Sequence, residues 1–345
     1  MDASAETISA RLLGWYDAHA RSLPWRSPPG APPPEPYRVW LSEIMLQQTT
    51  TAAVAPYFAR FTDRWPTVEE LAAAEDGEVM SAWAGLGYYA RARNLLACAR
   101  AVVELGGAFP ATEPELRKLP GLGAYTAAAV AAIAFGHRAV VVDANVERVV
   151  ARLFAIAQPL PAARPSIRAR ADEITPDQRS GDFAQAMMDL GATICTSRRP
   201  RCLLCPLASA CLARADDPEH LPVKPAKKSK PQRRGRAFWV ERDNAVWLVR
   251  RADKGMLGRM RSLPDDGWSA RSDGAGDPPV GGTWISAGSV RHSFTHFDLD
   301  LQLMLYSGGD WASLDGKAGK WWPLEQLEQA GLPTLFAKAA RLATA

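Results

Sequence analysis

The stretch CTSRRPRCLLCPLASAC, residues 195–211, decides how the rest of the chain is interpreted. It holds four of the five cysteines in a sequence of 345 residues, at Cys195, Cys202, Cys205 and Cys211. Four thiolates so close in the chain can converge on one soft centre, either a zinc ion or an iron–sulfur cluster. Two disulfide bonds are the alternative, but they suit a secreted protein, and the chain shows no secretion signal.

The spacing of these cysteines separates the two kinds of metal centre only in part. Zinc ribbons pair two C-x-x-C knuckles, whereas this stretch has one C-x-x-C flanked by single cysteines. The pattern C-x6-C-x2-C-x5-C resembles the [4Fe-4S] loop of the endonuclease III superfamily of DNA glycosylases. Arg198, Arg199 and Arg201 lie between the first two cysteines. They would present cations to a DNA backbone, or they form an ordinary solvated loop.

The composition is that of a globular protein with two domains. Hydrophobic residues make up 47% of the chain and charged residues 23%, and the net charge is +4; these are ordinary values, so charge alone does not indicate nucleic acid binding. Residues 1–10 lack the regions of a secretory signal, and no apolar run approaches the roughly 20 residues that span a bilayer. We therefore expect a cytoplasmic protein with no membrane contact.

Helical patterns fill the first part of the chain and strand patterns the last part. Alanine-rich segments broken by glycine and proline continue to about residue 155, and a further helix is predicted at 183–194. Residues 224–236 hold seven basic residues and no acidic one, as in a linker. The later patterns predict strands at 238–240, 246–249 and 299–306 and a short helix at 324–330. We therefore predict an all-α domain at 1–215, a basic linker at 216–236 and an α+β domain at 237–345.

The segment LPGLGAYTA, residues 119–127, has the composition of a tight turn that leads into a helix. Gly121 and Gly123 let the backbone approach a ligand closely, and the free N–H groups of the helix start favour an anion. The segment resembles the hairpin of a helix–hairpin–helix motif, in which the anion is a DNA phosphate. A plain connection between two helices is the alternative.

Glu43 is the first candidate catalytic carboxyl group. It lies in the helical segment VWLSEIMLQQ, residues 39–48, where its neighbours at three and four residues include Val39, Trp40 and Leu46. Apolar surroundings disfavour the charged form, so Glu43 is suited to hold a proton near neutral pH and to act as a general acid. A salt-bridged or half-exposed glutamate is the alternative.

Asp143 is the second candidate carboxyl group. It follows AVVV and precedes a helical pattern, and capping the helix is the ordinary use of aspartate there. The same N–H groups would keep the carboxylate ionised, and a fixed anion stabilises a cationic sugar. One protonated and one ionised carboxyl group form the pair that glycosidic bond cleavage uses.

Most of the chain is similar to the MutY family of adenine DNA glycosylases. Residues 41–49 (LSEIMLQQT) are close to the family's catalytic helix, and residues 85–95 (GLGYYARARNL), the hairpin, residues 142–149 (VDANVERV) and the cysteine loop also match. The resemblance implies that Glu43 protonates adenine. It also implies that Asp143 stabilises, or transiently bonds to, the sugar cation, with support from Asn145.

The same resemblance assigns residues to DNA binding. Gln48 and Tyr88 would wedge into the base stack as adenine flips out, and Arg26 and Asp189 would line the adenine pocket. Tyr125 occupies the position where the bifunctional endonuclease III enzymes carry a lysine that forms a Schiff base. Because tyrosine cannot form one, the chain is predicted to be a monofunctional glycosylase.

The last hundred residues resemble the family's Nudix-like domain, which recognises 8-oxoguanine opposite the adenine. Phe294, Thr295 and His296 match its Phe-Ser-His loop, although an ordinary strand entry would give the same pattern. The three glutamates after residue 236 are too few for the acidic box of a Nudix hydrolase, so we expect recognition without hydrolysis. Two segments depart from the family: Ala144 replaces a usual glycine, and residues 256–264 lack the usual glycine and tryptophan pattern.

The resemblance thus implies an all-α helix–hairpin–helix glycosylase domain with a [4Fe-4S] loop, followed by an α+β Nudix-like domain. Its expected substrate is double-stranded DNA with adenine opposite 8-oxoguanine or guanine, bound by a monomer at the nucleoid of a bacterial cytoplasm. Two rival hypotheses are a bifunctional pyrimidine lyase and a non-enzymatic iron–sulfur DNA-binding protein. Tyr125 and the second domain count against the lyase, and the pair Glu43 and Asp143 counts against the binding protein.

Overall fold

The computed structural model describes residues 5–225, 229–252, 256–308 and 311–344. These residues form two compact units, one of residues 5–73 and 94–225 and one of residues 74–93 and 229–344. The second unit therefore includes a short segment, 74–93, that belongs to the helical part of the sequence. Residues 226–228 of the predicted linker lie outside the described residues.

Helices make up the first unit, as the sequence predicts. In chain order the helices before the cysteine loop are α1 (Ala5–His19), α2 (Pro36–Leu46), α3 (Thr51–Arg64), α4 (Val68–Ala73), α5 (Asp76–Ala82), α6 (Ala90–Glu104), α7 (Glu113–Leu116), α8 (Ala124–Phe135), α9 (Ala144–Leu153), α10 (Arg164–Ile174) and α11 (Ser180–Thr193). Helix α5 and the start of α6 belong to the second unit. After α11 the cysteine loop carries short 3-10 turns in place of longer helices.

Helix α8 is the central helix of the first unit, and its alanines explain why. Its residues 126–134 are all buried, and it packs against α2, α7 and α11. Small side chains allow close approach: a Cβ on Gly181 of α11 would lie 2.4 Å from the carbonyl oxygen of Ala132. Helix α8 ends at Gly136, whose φ of 68° suits glycine. This packing brings Glu43 of α2 close to the start of α8.

The second unit contains two sheets and a C-terminal helix. Its strands are β1 (Gln232–Trp239), β2 (Glu241–Arg242), β3 (Ala245–Arg250), β4 (Arg261–Ser262), β5 (Trp284–Ser293), β6 (Asp298–Tyr306) and β7 (Lys320–Pro323), followed by α12 (Thr334–Ala343). One sheet has the order β1-β6-β5, with β1 parallel and β5 antiparallel to β6. In the other, β3 pairs with β2, β4 and β7.

The core of this unit lies between the β1-β6-β5 sheet and α12. Strand β6 alternates, so Leu299, Leu301 and Leu303 point inward and pack with Phe336 of α12. This period of two is the pattern of a strand with one buried face. The arrangement is the α+β fold that the sequence predicts. No helix in the described ranges has the length and apolar character that a membrane crossing requires.

Local sequence patterns predicted some elements of this unit and missed others. The strands predicted at 238–240, 246–249 and 299–306 coincide with parts of β1, β3 and β6, and the predicted helix at 324–330 is a 3-10 helix. Strand β5 was missed because it is rich in serine and carries a bulge between Ser286 and Gly288. Strand β1 begins at Gln232, inside the stretch predicted as a linker, because it pairs with β6 from that residue onward.

Candidate active site

Glu43 is buried in the C-terminal half of α2, with 5% of its surface exposed. Its Oε2 atom accepts a hydrogen bond of 2.7 Å from the hydroxyl of Tyr125. Burial raises the pKa of Glu43 to about 7; the bond from Tyr125 and the charge of Arg26 oppose this, and the nearby carboxylate of Asp143 adds to it. Between about pH 5 and pH 7, where an ordinary glutamate is ionised, Glu43 therefore still holds its proton.

Tyr125 lies at the start of α8, directly after the glycine-rich turn. Burial, and then the charges of Glu43 and Asp143, raise the pKa of its hydroxyl well above the usual value. The hydroxyl therefore remains a hydrogen-bond donor to Glu43. In the sequence, Tyr125 is notable as the replacement of a catalytic lysine. Its contact with Glu43, 82 residues away in the chain, is not predictable from local spacing.

Asp143 is the N-cap of α9, as one of its two sequence interpretations predicts. Its Oδ1 atom accepts a hydrogen bond of 2.7 Å from the backbone N–H of Val146. Its Oδ2 atom accepts one of 2.8 Å from the side-chain amide of Asn145. Both oxygens act as acceptors, which is how an ionised carboxylate bonds. Capping and charge stabilisation are thus compatible uses of the same side chain.

A chain of hydrogen bonds joins Asp143 to the cysteine loop. The Oδ1 atom of Asn145 accepts a bond of 2.9 Å from Arg148, whose Nε donates to the carbonyl oxygen of Cys195 at 2.8 Å. Arg152, which is 2% exposed, donates to the carbonyl oxygen of Thr196 at 2.7 Å. Neither arginine was singled out from the sequence. The sequence spacing could have pointed to both arginines, because positions 145, 148 and 152 lie on one face of a helix.

Most of the predicted catalytic and DNA-binding residues of the first unit line one cavity of about 1070 Å³. It is lined by Arg26, Glu43, Gln48, Gly121, Gly123, Tyr125, Asp143 and Asn145, among others. The cavity therefore brings together residues from α2, α8 and α9, although Glu43 and Asn145 are 102 positions apart in the chain.

Asp189 differs from the expectation that it lines the adenine pocket. It has no exposed surface and lies behind Arg26, from which it accepts a hydrogen bond of 2.8 Å. It also accepts bonds from the side chain and the backbone N–H of Arg21, at 2.6 and 3.0 Å. A buried carboxylate needs such partners. Asp189 consequently fixes the guanidinium of Arg26, which does line the cavity.

The glycine-rich turn and Gln48 have distinctive backbone geometry. Gly121 has a φ of 76°, and a Cβ there would lie 2.6 Å from the Cβ of Asn94. Gly123 caps α8 and has open space around it, so the N-terminal N–H groups of the helix are accessible to an anion. Gln48 is exposed and has a φ of 60°, a left-handed conformation that non-glycine residues rarely adopt.

In the second unit, Phe294, Thr295 and His296 form the hairpin between β5 and β6. The backbone N–H of Phe294 donates to the carbonyl oxygen of Phe297 at 2.9 Å. The ring of Phe294 stacks on that of Phe297, with centroids 4.7 Å apart, and packs against the core. Thr295 and His296 are exposed. The polar pair is thus accessible to a ligand, whereas the ring of Phe294 packs inward and anchors the hairpin.

Comparison with known proteins gives the family. Residues 41–171 match the HhH-GPD superfamily of base excision DNA repair proteins, and residues 236–342 match the NUDIX domain. The adenine DNA glycosylase of Buchnera aphidicola from Acyrthosiphon pisum is 34% identical over 252 residues, which cover 72% of this chain and 71% of that protein. The chain belongs to the adenine DNA glycosylase (MutY) family.

Other members of the adenine DNA glycosylase family match over different lengths. The enzyme of Buchnera aphidicola from Schizaphis graminum is 28% identical over 345 residues, covering 94% of this chain and 95% of that protein. The human adenine DNA glycosylase is 46% identical over 219 residues, covering 61% of this chain. The match spans only 40% of the human protein, so this chain corresponds to about two fifths of that relative.

Solved structures support the fold of the first unit. The structure of a thermostable thymine-DNA glycosylase is similar with a TM-score of 0.55 and 28% identity, over 61% of this chain and 96% of that one. A trapped endonuclease III–DNA covalent intermediate is similar with a TM-score of 0.52 and 24% identity, over 62% of this chain and 98% of that one. The helical fold of this adenine DNA glycosylase family member is therefore similar to that of both solved structures.

The four cysteines of the predicted cluster loop lie close together in this adenine DNA glycosylase family member. Cys195, Cys202, Cys205 and Cys211 are free thiols rather than disulfides, and all four line one small cavity of about 30 Å³. A guanidinium nitrogen of Arg152 lies 3.4 Å from the sulfur of Cys195, so a positive charge faces this group of cysteines. Within the described ranges, no group of three or more His, Cys, Asp or Glu side chains is arranged to hold a single metal ion.

Proposed function

We propose that the protein is a monofunctional adenine DNA glycosylase of base excision repair. It removes adenine paired with 8-oxoguanine or guanine by acid-assisted hydrolysis of the N-glycosidic bond, after the base has flipped out of the duplex. The observation that carries this proposal is the pair of carboxyl groups in one cavity. Glu43 has a pKa of about 7, and Asp143 accepts hydrogen bonds on both oxygens.

The two carboxyl groups divide the reaction between them. Adenine leaves poorly as an anion, so Glu43 gives its proton to a ring nitrogen of the base, and the electrons of the glycosidic bond depart with neutral adenine. The sugar becomes a cation, which the carboxylate of Asp143 stabilises until water adds. Asn145 holds Asp143 at 2.8 Å, and Tyr125 holds Glu43 at 2.7 Å. Both groups are thus positioned before the substrate arrives.

The residues around the cavity favour hydrolysis without strand cleavage. A bifunctional lyase needs a lysine amine that forms a Schiff base with the sugar. The described residues that line the cavity include arginines but no lysine. Tyr125 lies at the start of α8, and its hydroxyl donates a hydrogen bond to Glu43. The product of this chemistry is an abasic site in an intact strand.

The second unit supplies the preference for 8-oxoguanine in this proposal. Thr295 and His296 are exposed at the tip of the β5–β6 hairpin, where they can form hydrogen bonds with the oxidised base. Residues 1–215 are proposed for glycosylase chemistry, and the recognition domain is proposed to include β1, which pairs with β6 from Gln232 onward. The protein acts as a monomer on nucleoid DNA in the cytoplasm.

Cys195, Cys202, Cys205 and Cys211 would hold the [4Fe-4S] cluster. When bound, the cluster would cross-link the four cysteines and so fix the shape of the loop. The loop then presents Arg198, Arg199 and Arg201 to DNA phosphates. Protein purified without oxygen is expected to contain about four irons per chain; stoichiometric zinc without iron would contradict the assignment.

One incubation tests the proposed activity. Duplexes with adenine opposite 8-oxoguanine, adenine opposite guanine, and thymine glycol opposite adenine are each incubated with the protein. Strand breaks are then scored with and without hot alkali. The proposal predicts breaks only after alkali, and only in the first two duplexes. Cleavage at thymine glycol, or strand breaks without alkali, would instead indicate a bifunctional lyase.

A further inference from the structure

The loop that carries Tyr88 is held in an uncommon conformation. Tyr88 has a φ of 48°, and Gly85 and Gly87 before it have φ values of 101° and 69°. The left-handed region disfavours tyrosine, so contacts outside the backbone must stabilise this shape. The side chain of Tyr88 is nevertheless 51% exposed. The loop is therefore built to present an aromatic ring rather than to bury it.

Arg91, in the first turn of α6, makes most of the contacts that fix this loop. One of its terminal nitrogens donates to the carbonyl oxygens of Leu86 at 2.9 Å and Gly87 at 3.3 Å. Its backbone N–H donates to the carbonyl oxygen of Tyr88 at 2.8 Å. The residue is only 8% exposed. Arg91 thus faces the inner side of the loop and is too buried to be one of the arginines that contact DNA phosphates.

Two aromatic rings complete the contacts. The guanidinium of Arg91 lies 5.3 Å from the ring centroid of Trp83 and 5.6 Å from that of Tyr88. Trp83 has no exposed surface, and its indole N–H donates to the carbonyl oxygen of Gly87 at 3.1 Å. The guanidinium of Arg91 therefore contacts the buried ring of Trp83 and the exposed ring of Tyr88. Cation–π contacts of this kind fix relative orientation as well as distance.

We propose that Arg91 is a positioning residue that holds Tyr88 ready to enter the base stack as adenine leaves it. The inference rests on the proposed function, in which Tyr88 is the wedge. Its physical basis is pre-organisation: a loop already in its working shape loses less conformational entropy when it meets DNA. Lysine could not replace arginine in this role. Its ammonium group is not planar, so it cannot donate hydrogen bonds to the loop and stack against aromatic rings at the same time, as a guanidinium can.

The charge of Arg91 is retained despite its burial. Burial lowers the pKa of the guanidinium to about 10, and the nearby Tyr88 opposes this change. The group is therefore still protonated at pH 7. Arg91→Lys keeps the positive charge but loses the planar guanidinium, whereas Arg91→Gln loses both the charge and the guanidinium. The two variants separate the geometric contribution from the electrostatic one.

The test measures base flipping rather than chemistry alone. The target adenine is replaced by the fluorescent analogue 2-aminopurine opposite 8-oxoguanine, and the rise in fluorescence on mixing with full-length protein gives the flipping rate. The variants are Arg91→Gln, Arg91→Lys, Tyr88→Ala and the double variant of Tyr88→Ala with Arg91→Gln. Arg100→Gln is the matched control, since Arg100 also donates to a backbone carbonyl, that of Ala72, but lies further along α6. Thermal unfolding of each variant is measured in parallel.

The proposal predicts that Arg91→Gln slows flipping about tenfold, the loss expected for a buried hydrogen bond from a charged group. Arg91→Lys should also be slow, the control should match wild type, and the double variant should be no slower than Tyr88→Ala alone. If the losses of the two single variants multiply, Arg91 does not act through Tyr88 and the inference is overturned. If Tyr88→Ala flips at the wild-type rate, the wedge role and this inference both fail. A normal rate for Arg91→Lys would show that charge alone suffices and would overturn the geometric argument.

Discussion

The cavity around Glu43 and the hairpin at residues 294–296 use polar side chains in opposite ways. In the cavity, Glu43 is buried and bonded to Tyr125, and burial is what raises its pKa to about 7. At the hairpin, the aromatic residue packs inward and the polar residues are exposed. Proton transfer needs a desolvated acid, whereas recognition needs donors and acceptors that a ligand can reach. Changes in the cavity should therefore reduce the rate strongly, and changes in the hairpin should mainly alter substrate preference.

The largest effect is expected when the anion is removed from the cavity. Asp143→Asn keeps a side chain that can cap α9 but loses the charge that stabilises the sugar cation. Single-turnover adenine release should fall at least about a hundredfold. Asp172→Asn is the control, because Asp172 is an exposed partner of Arg138 at 2.7 Å. A comparable loss in both variants would indicate a general effect on folding instead of a role in chemistry.

The pH dependence of base release should reflect the burial of Glu43. Its pKa is raised to about 7, so the acid form is present below that pH and is lost as the pH rises through it. Above pH 7 the single-turnover rate should fall about tenfold for each pH unit. The measurement is the rate constant from pH 5.5 to 9 at constant ionic strength. A rate that stays level up to pH 9 would show that the proton comes from another group.

A smaller loss should follow when the cavity is separated from the cysteine loop. Arg148→Gln removes the bonds to Asn145 and to the carbonyl oxygen of Cys195. Base release should fall about tenfold, the effect of losing a partly buried bond from a charged group. Arg164→Gln is the matched control, since Arg164 is exposed and its pair with Glu147 is a surface pair. Equal rates for the two variants would show that the connection to the loop does not position Asp143.

The smallest effect is expected at the hairpin. Replacing Thr295 and His296 by alanine removes hydrogen bonds to the oxidised base while Phe294 still anchors the loop. The preference for 8-oxoguanine over guanine opposite adenine should fall several-fold, the range of one or two exposed hydrogen bonds. Ser289→Ala, an exposed change on β5, should leave the preference unchanged. An equal slowing on both duplexes would assign the hairpin to general DNA binding.

The sequence predicts environments that depend on residues close together in the chain, but not contacts between residues far apart in the chain. The apolar neighbours of Glu43 are three and four residues away on one helix, and Asp143 caps the helix that follows it, so both environments were predictable from local spacing. The bond from Tyr125 to Glu43 spans 82 residues, and that from Arg26 to Asp189 spans 163. Local periodicity carries no information about such pairs. They are set by how α2, α8 and α11 pack.

Which residues belong to the second unit was also not predictable from local sequence patterns. Residues 74–93 look helical in sequence, yet they cluster with residues 229–344. Several contacts join the two segments: Arg93 donates to the carbonyl oxygen of Gly258 at 3.0 Å, Arg259 pairs with Asp76 at 3.0 Å, and Ser81 donates to the carbonyl oxygen of Gln329 at 3.3 Å. None of them is visible from composition or spacing. The segment that carries Tyr88 is therefore braced by the C-terminal fold, which no reading of residues 74–93 alone would predict.

The most direct test of the account is single-turnover adenine release by Glu43→Gln from a duplex with adenine opposite 8-oxoguanine. Glutamine keeps the shape of the side chain and can still contact Tyr125, but it has no proton to give. The account predicts a loss of at least about a hundredfold, with DNA affinity little changed. Glu104→Gln, an exposed change on α6, should keep the wild-type rate. A rate for Glu43→Gln within about threefold of wild type, far short of the loss of a general acid, would contradict the assignment of Glu43 as the acid.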